Sequence, residues 1–332
     1  MKQRLAYIDN LKGLLIMLVV LGHCIQMICA DFSNNIVFRY IYAFHMPLFM
    51  ALSGYVCCRP DPEWALLRRR AFQLLVPFLS WALLEAALRG RLSDFPLTLL
   101  YPDRGLWFLY VLFVVTVLHV ACFKLFRLMR LAPEWGVSLL VGVLMGVKVV
   151  CRFDYLAFPH VAWYFFFYHV GFFMRKYEDK ISERSRLVAG LICLNLFFVL
   201  AYWWRLAAPP AFMSVACPVA VGSLYNLSTA LFACLGFIWV GRKLLQQHLP
   251  IITKMGWITL GIYAIHQTLL RCMLAFISAD IFPGQGAEVA VCAVLCLSGS
   301  WLVLKALERS RLLSFLFLGV SPVRGCRSSF GS

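Results

Sequence analysis

Long apolar runs separated by short polar segments recur along the whole chain of 332 residues. A helix that crosses the hydrocarbon core of a bilayer needs about 20 apolar residues. The pattern therefore predicts about ten transmembrane helices and leaves no room for a sizeable soluble domain. The runs cover residues 11–30, 36–58, 72–88, 105–126, 135–151, 159–174, 187–205, 213–240, 256–278 and 286–305.

The composition supports this prediction. Apolar residues make up 62% of the chain and charged residues only 14%, whereas soluble domains are about half apolar and about a quarter charged. A large outer-membrane barrel is excluded as well, because its strands would alternate polar and apolar side chains at every second residue. We therefore expect an all-α polytopic membrane protein.

The basic residues indicate the orientation of the chain. A formal net charge of +16 would suggest nucleic-acid binding in a soluble protein, but in a membrane protein Lys and Arg mark the cytoplasmic loops. With a cytoplasmic N-terminus, alternating loops assign 23 of the 31 Lys and Arg residues to the inner face. We therefore expect both termini in the cytoplasm, a multi-pass location in the cytoplasmic (inner) membrane, and no nucleic-acid partner.

The ends of the chain and its cysteines give three further expectations, about a signal peptide, a C-terminal tail and disulfide or metal sites. Asp9 and Lys12 precede the first apolar run and no clear cleavage site follows it, which favours a retained span over a cleaved signal peptide. Residues 319–332 are polar and basic, so we expect a membrane domain over 1–318 and a disordered cytoplasmic tail. The thirteen Cys residues lie mostly inside apolar runs without a C-x-x-C pair, so we predict neither a disulfide framework nor a metal site.

Three histidines lie deep inside predicted helices. At about 1.5 Å per residue, His23 lies about 18 Å into the first helix, His45 about 13 Å into the second and His266 about 14 Å into the ninth. All three are expected near the bilayer midplane, where ionisable side chains are costly and indicate a functional site. The alternative is three separate core histidines, each bonded to a backbone carbonyl or a serine.

Charged residues gather at the predicted inner end of the helices. Asp9 and His23 share a helix face but lie about 21 Å apart along the axis, which excludes a hydrogen-bonded dyad in a continuous helix. Asp9 either orders the inner mouth or is a favourable charge at a helix N-terminus. Topology alone explains Arg68, Arg69 and Arg70, and phosphate recognition is the alternative because guanidinium groups bind phosphate oxygens bidentately.

Four short motifs follow one another in the first, second, fourth and ninth predicted helices. They resemble, in order, the signatures of the membrane acyltransferase-3 family, in particular the branch with sugar O-acetylases such as fucose O-acetylase-like proteins. The resemblance covers about residues 4–305. Its motifs are Arg4-x4-Asp9-x2-Lys12-Gly13 with Val19-Val20-Leu21-Gly22-His23, Phe44-His45-Met46-Pro47-Leu48-Phe49 through Ser53-Gly54-Tyr55, Leu106-Trp107-Phe108-Leu109, and Gly261-Ile262-Tyr263-x2-His266.

The resemblance implies transfer of an acyl group, usually acetyl, from cytoplasmic acyl-CoA to a hydroxyl of a cell-surface carbohydrate, with acetyl-CoA as donor substrate and no metal. It implies that His23 is the essential histidine, and that Arg4, Asp9, Lys12 and the Arg68–Arg70 run serve the donor. Two departures weaken the donor assignment. Lys12 stands where the family usually has Arg, and the family's Arg-x2-Arg pattern is incomplete around Arg68–Arg70.

The remaining candidate residues are expected to stabilise the oxyanion or to contact the acceptor sugar. His45, His266 and Ser53 are candidates for stabilising the oxyanion of acyl transfer, although Ser53 also suits a small packing position. Trp107 suits sugar stacking, or anchoring at the membrane interface.

Histidine suits this chemistry because its unperturbed pKa, about 6.5, lets it accept a hydroxyl proton near neutrality. A transporter or flippase without covalent chemistry is the main alternative, although we find no internal repeat. A proton-linked sensor built on the three histidines is a third, without any signalling domain to support it. The acceptor sugar, the acyl chain and the oligomeric state are open at this point.

Overall fold

The computed structural model describes residues 5–58, 64–102, 106–151, 153–205, 218–277 and 281–320. These residues are mostly helical, and no strand occurs within the ranges. Short 3-10 turns lie at Phe32–Asn34, Leu92–Asp94, Tyr155–Ala157 and Glu178–Lys180. The α-helices are α1 (Ala6–Ile28), α2 (Ile36–Tyr42), α3 (His45–Cys57), α4 (Trp64–Leu88), α5 (Phe95–Leu100), α6 (Trp107–Leu128), α7 (Pro133–Val150), α8 (Phe158–Tyr177), α9 (Glu183–Trp203), α10 (Pro218–Leu244), α11 (Pro250–Trp257), α12 (Thr259–Phe276), α13 (Gln285–Glu308) and α14 (Arg311–Leu318).

Each predicted apolar run coincides with one helix or with two consecutive helices. Within the described ranges, eight helical segments are long and apolar enough to cross a membrane, and the bent pair α11–α12 is a ninth if it counts as one span. The all-α polytopic class is therefore confirmed. The sixth predicted span, over 159–174, corresponds to α8, which has 20 residues but is not among these segments. Two histidines, three tyrosines and two basic residues lower its hydropathy.

The ninth predicted span is broken. The sequence predicts one helix over 256–278, whereas α11 ends at Trp257 and α12 begins at Thr259 after a bend of 81°. The Thr259 hydroxyl donates to the carbonyl oxygens of Met255 and Gly256 at 3.0 and 2.8 Å, which helps to satisfy carbonyl groups left open at the end of α11. Because both sides of the bend are apolar, the hydrophobic pattern alone does not reveal it.

Glycines let α1 and α11 cross in backbone contact. A Cβ atom on Gly13 would lie 2.0 Å from the carbonyl oxygen of Ile252, and one on Gly256 would lie 1.9 Å from the carbonyl oxygen of Asp9. Both obstacles are backbone atoms, which cannot turn away as a side chain can. The two glycines therefore place α11 directly against the N-terminal half of α1.

We expect Gly256→Ala to lower the melting temperature and the yield of folded protein. The added methyl group forces α1 and α11 apart, and overpacking of this kind costs about 1–3 kcal/mol. Gly142→Ala is the matched control, because nothing lies within 4 Å of the Cβ position of Gly142. Thermal unfolding of the detergent-solubilised protein measures both, and an unchanged melting temperature for Gly256→Ala would contradict this crossing.

The chain divides into two compact units. The first comprises residues up to Leu52 together with Tyr177–Leu304, and so contains α1, α2, α9 to α12 and most of α13. The second comprises, among the described residues, Ser53–Lys176 together with 305–320, and contains α4 to α8 and α14.

Two close contacts define the packing inside the second unit. A Cβ atom on Gly54 would lie 1.9 Å from the carbonyl oxygen of Tyr168, so the Ser-Gly-Tyr motif packs directly on α8. The indole of Trp81 donates to the carbonyl oxygen of Phe317 at 3.0 Å, which holds α14 against α4. After α14 the chain turns at Gly319, in the left-handed conformation with φ of 65°. Residues 321–332 of the predicted tail lie outside the described residues, and the boundary at 318 stays a prediction.

Candidate active site

His23 lies in a polar cluster inside the first unit. It is near the C-terminal end of α1, and its imidazole is half-buried. Its Nδ1 atom lies 3.0 Å from Oε1 of Gln26 and 3.2 Å from the hydroxyl of Tyr42. The Tyr42 hydroxyl also donates to Oε1 of Gln26 at 2.9 Å. Side chains from α1 and α2 therefore hold the imidazole on its Nδ1 side.

These partners fix which ring nitrogen of His23 carries the proton. An amide oxygen only accepts hydrogen bonds, so Nδ1 carries the hydrogen that points to Gln26. Nε2 of the neutral ring then keeps its lone pair. The side-chain amide nitrogen of Gln267, on α12, lies 3.2 Å from this Nε2 and donates to it. His23 thus presents an unprotonated nitrogen towards α12.

The other two mid-helix histidines lie in the same cluster. The ring centroids of His266 and His23 are 5.2 Å apart. Tyr42 contacts both His23 and His45, with centroid distances of 6.0 and 4.8 Å. The sequence predicts a common depth for the three histidines, and the structure shows that they meet. His45 and His266 are 5% and 0% exposed, so His23 alone of the three keeps partial exposure.

His45 and His266 both use Nδ1 to bond the backbone of their own chain segment. Nδ1 of His45 donates to the carbonyl oxygen of Ile41 at 2.8 Å, and Nδ1 of His266 donates to those of Ile262 and Tyr263 at 3.0 and 2.8 Å. Each neutral ring therefore keeps a lone pair on Nε2. Nε2 of His266 is buried and has no partner among the described residues. A buried acceptor without a donor costs about 1–3 kcal/mol, which favours a ligand hydroxyl as its partner.

The residues predicted at the inner mouth lie at the start of α1. Oδ2 of Asp9 accepts a hydrogen bond of 2.9 Å from the indole of Trp257, and Lys12 is half-buried one turn further along. Because α1 is continuous over Ala6–Ile28, Asp9 and His23 stay at opposite ends of one helix and form no dyad. Arg4 lies outside the described residues.

Asn10 is a residue at this end that sequence reasoning missed. Its side chain is fully buried, and its amide group donates to the carbonyl oxygens of Leu245 and Gln247 at 2.9 and 2.8 Å. Its Oδ1 atom accepts from the Thr253 hydroxyl at 2.5 Å. Asn10 therefore ties the segment between α10 and α11 to α1. The sequence signal was a single neutral polar residue inside an apolar helix face, next to Asp9.

The three arginines predicted to serve the donor lie at the start of α4, in the second unit. Arg68 and Arg69 are exposed, whereas Arg70 is half-buried and donates to Sγ of Cys57 at 3.1 Å. Arg70 therefore has a structural contact within its own unit. The exposed pair is the better placed to meet an anionic ligand from solvent.

Ser53 and Trp107 also belong to the second unit. Ser53 is half-buried beside Gly54, where α3 packs against α8. Trp107 is the first residue of α6 and is half-buried. Its ring stacks on Tyr164 with a centroid distance of 4.9 Å and an interplanar angle of 27°, and His160 lies 4.9 Å away. Trp107 is thus part of an aromatic cluster formed by α6 and α8.

Binding a metal ion would require a suitable group of side chains in the described parts of the chain. There, no group of three or more His, Cys, Asp or Glu side chains is arranged to hold a metal ion.

Comparison with known proteins shows which proteins this chain resembles. The chain is similar to nodulation protein NolL of Sinorhizobium fredii, with 34% identity over 165 residues, covering 44% of this chain and 45% of that protein. NolL of Mesorhizobium japonicum is 36% identical over 130 residues, covering 33% of this chain and 34% of that protein. The match thus spans less than half of either relative, and no solved structure matches the chain. The acyltransferase domain of the acyltransferase-3 family matches residues 5–305, and the chain therefore belongs to this family of acyltransferases.

Proposed function

We propose that the protein transfers an acetyl group from cytoplasmic acetyl-CoA to a hydroxyl group of a cell-surface carbohydrate. The observation that carries the proposal is His23, a half-buried imidazole whose Nε2 is unprotonated. Its lone pair, which accepts a hydrogen bond from Gln267, can instead accept a proton from a hydroxyl group. The family match and the apolar helices support acyl transfer within a membrane. The acetyl group, the CoA donor and the carbohydrate acceptor are the parts that we propose.

His23 acts as the general base in this proposal. Its Nε2 takes the proton of the sugar hydroxyl while the hydroxyl oxygen attacks the thioester carbonyl, a step in which a positioned base contributes about 10²–10⁴-fold. The C–O bond of the ester forms and the C–S bond breaks. His23 then returns the proton to the departing thiolate, so the free thiol and the acetylated sugar leave with the enzyme unchanged.

The neighbouring imidazoles support a different role from the one the sequence suggested. Because Nδ1 of His45 and of His266 donates to backbone carbonyls, Nε2 of each neutral ring accepts hydrogen bonds and offers none to an oxyanion. We therefore propose that Nε2 of His266 binds a hydroxyl of the acceptor. The amide group of Gln267 is a donor close to Nε2 of His23, and it suits the negative charge that develops on the carbonyl oxygen.

The donor phosphates require cations on the cytoplasmic side. We propose that Lys12 and the exposed Arg68 and Arg69 supply them, together with Arg4, which lies outside the described residues. Arg70 contacts Cys57 instead. Asp9, held by Trp257, serves to order the inner mouth. The excess of basic residues in alternate loops supports cytoplasmic termini and a location in the inner membrane.

Trp107 is the proposed stacking surface for the acceptor sugar. One ring face is covered by Tyr164 while the side chain keeps partial exposure. We expect Trp107→Ala to raise KM for the isolated surface glycan about 5–10-fold, on the basis of about 1 kcal/mol for an aromatic contact. Trp107→Phe should retain most of the affinity. Trp135, an exposed tryptophan on α7, gives the matched control, and equal KM values for Trp107→Ala and Trp135→Ala would contradict the assignment.

A labelling experiment separates acyl transfer from transport. Everted membrane vesicles from cells that make the protein carry their own glycan and expose the cytoplasmic face to the medium. With acetyl-labelled acetyl-CoA added outside, we expect label in the glycan, and none in vesicles from cells without the protein. Movement of glycan across the membrane without incorporation of label would instead favour a flippase.

A further inference from the structure

On α1, the polar side chain that contacts His23 is that of Gln26. It follows His23 by three residues, which places both side chains on one face of the helix. Its Oε1 atom lies 3.0 Å from Nδ1 of His23 and 2.9 Å from the hydroxyl of Tyr42. None of the four family motifs contains Gln26, and no role follows for it from the sequence.

With Oε1 of Gln26 facing His23, the hydrogen bonds among His23, Gln26 and Tyr42 have one consistent arrangement. Oε1 of Gln26 accepts from Nδ1–H of His23 and from the Tyr42 hydroxyl, so both hydrogens have an acceptor. Tyr42 is anchored in turn, because its ring stacks on the fully buried Phe38 at 3.9 Å between centroids. The Tyr42 hydroxyl thus holds the carbonyl oxygen of Gln26 beside Nδ1 of His23.

We propose that Gln26 is the positioning residue of the general base: its amide oxygen fixes the Nδ1–H tautomer of His23 and turns Nε2 towards the reacting hydroxyl. The inference rests on the proposed role of His23. It follows the general pattern in which a catalytic base is oriented by a third group. In serine hydrolases that group is a carboxylate on the far ring nitrogen of the histidine, and here a neutral amide occupies the corresponding place.

Within the described ranges, the groups around His23 offer no negative charge to stabilise its protonated ring. The hydrogen-bond partners of His23 among the described residues are Gln26, Tyr42 and Gln267, and none is a carboxylate. The titratable or charged groups that face His23 from the neighbouring elements are Tyr42 on α2, His45 on α3, and His266 and Arg271 on α12. No negative charge among them holds the proton on the ring after it is taken up.

Substitutions of Gln26 test this role. Gln26→Leu removes the acceptor, so the ring loses its fixed tautomer and orientation, and we expect kcat to fall about 10–100-fold with KM for acetyl-CoA unchanged. Gln26→Glu keeps an oxygen acceptor and adds a negative charge that stabilises the protonated ring. We expect it to retain most of the activity at its optimum, with the acid limb of the pH profile of kcat/KM moved to higher pH. Tyr42→Phe should lower kcat by a smaller factor.

Controls keep the test decisive. Gln246 is an exposed glutamine whose hydrogen-bond partner in the described part of the chain is the carbonyl oxygen of Arg242. Gln246→Leu is a matched variant that should leave the rate unchanged. The melting temperature of each variant shows whether it is folded. A wild-type rate for folded Gln26→Leu would overturn the inference, as would equal losses in Gln26→Leu and Gln26→Glu with no movement of the pH profile.

Combination with a His23 variant separates this inference from the proposed function. If Gln26 acts through His23, adding Gln26→Leu to His23→Ala should not lower the residual rate further. An inactive His23→Ala together with a fully active Gln26→Leu refutes only the role of Gln26. A fully active His23→Ala refutes the proposed function itself. The rates are measured as label incorporation from acetyl-CoA into the glycan of everted vesicles.

Discussion

Replacing His23 by alanine is expected to lower the rate of acetyl transfer about 10²–10⁴-fold, the usual contribution of a positioned general base. The helix should survive the change, because alanine is the best helix former and His23 is only half-buried. The measurement is the initial rate of label incorporation, normalised to the amount of folded protein. KM for acetyl-CoA should change little, since the ring acts on the acceptor hydroxyl.

The other histidines provide the comparison for this variant. We expect His266→Ala to lose less activity than His23→Ala, because it removes a hydrogen bond to substrate and not the base. His248→Ala should be unaffected, since His248 is exposed and lies outside the cluster. Wild-type transfer by folded His23→Ala would rule out the proposed base, and equal losses in all three variants would point to a general loss of structure.

The second large effect is expected at Asn10, on the stability of the protein. In Asn10→Asp the fully buried carboxylate faces the carbonyl oxygens of Leu245 and Gln247, which are acceptors that the asparagine amide now satisfies. A buried charge without a partner costs about 3–5 kcal/mol, enough to prevent folding of a marginally stable protein. We expect little folded protein and a much lower melting temperature. Asn10→Ala should cost less, about 1–3 kcal/mol.

An asparagine with a different environment gives the control for this prediction. Asn35 caps α2, with its side chain accepting from the backbone N–H of Phe38 at 3.1 Å. Aspartate serves equally well at such a position, so Asn35→Asp should keep the wild-type melting temperature. If Asn10→Asp is as stable as Asn35→Asp, Asn10 does not hold the segment before α11 as described.

The hydrophobic pattern was sufficient to predict the helical membrane class of the protein, whereas the depth of its central histidines in the bilayer stays a prediction. Apolar length alone predicts a multi-span helical protein. A rise of about 1.5 Å per residue places His23 and His266 at similar depths only for a straight ninth span, and that span is bent by 81° between α11 and α12. Whether they touch depends on how α1 packs against α12, across more than 240 residues of sequence, and no local pattern determines that packing. The 5.2 Å contact between their rings is therefore information that only the structure supplies.

The residues that sequence reasoning missed share a property. Gln26, Gln267 and Asn10 are neutral polar residues, which cost less inside a membrane helix than charges do and so do not stand out in a hydropathy pattern. Their importance lies in contacts with partners from other helices or far along the chain. Conversely, Arg70 stands out by charge in the sequence, yet its guanidinium contacts Cys57 within its own unit.

The most direct test of the account is the position of a bound acceptor relative to His23. An experimental structure of the protein with its glycan acceptor and a non-reactive thioether analogue of acetyl-CoA measures the distance from the acceptor oxygen to Nε2 of His23. We predict a hydroxyl oxygen within hydrogen-bonding distance, about 2.6–3.2 Å, with Nδ1 still bonded to Gln26. An acceptor bound away from His23, or a His23 ring in contact with lipid, would contradict the account.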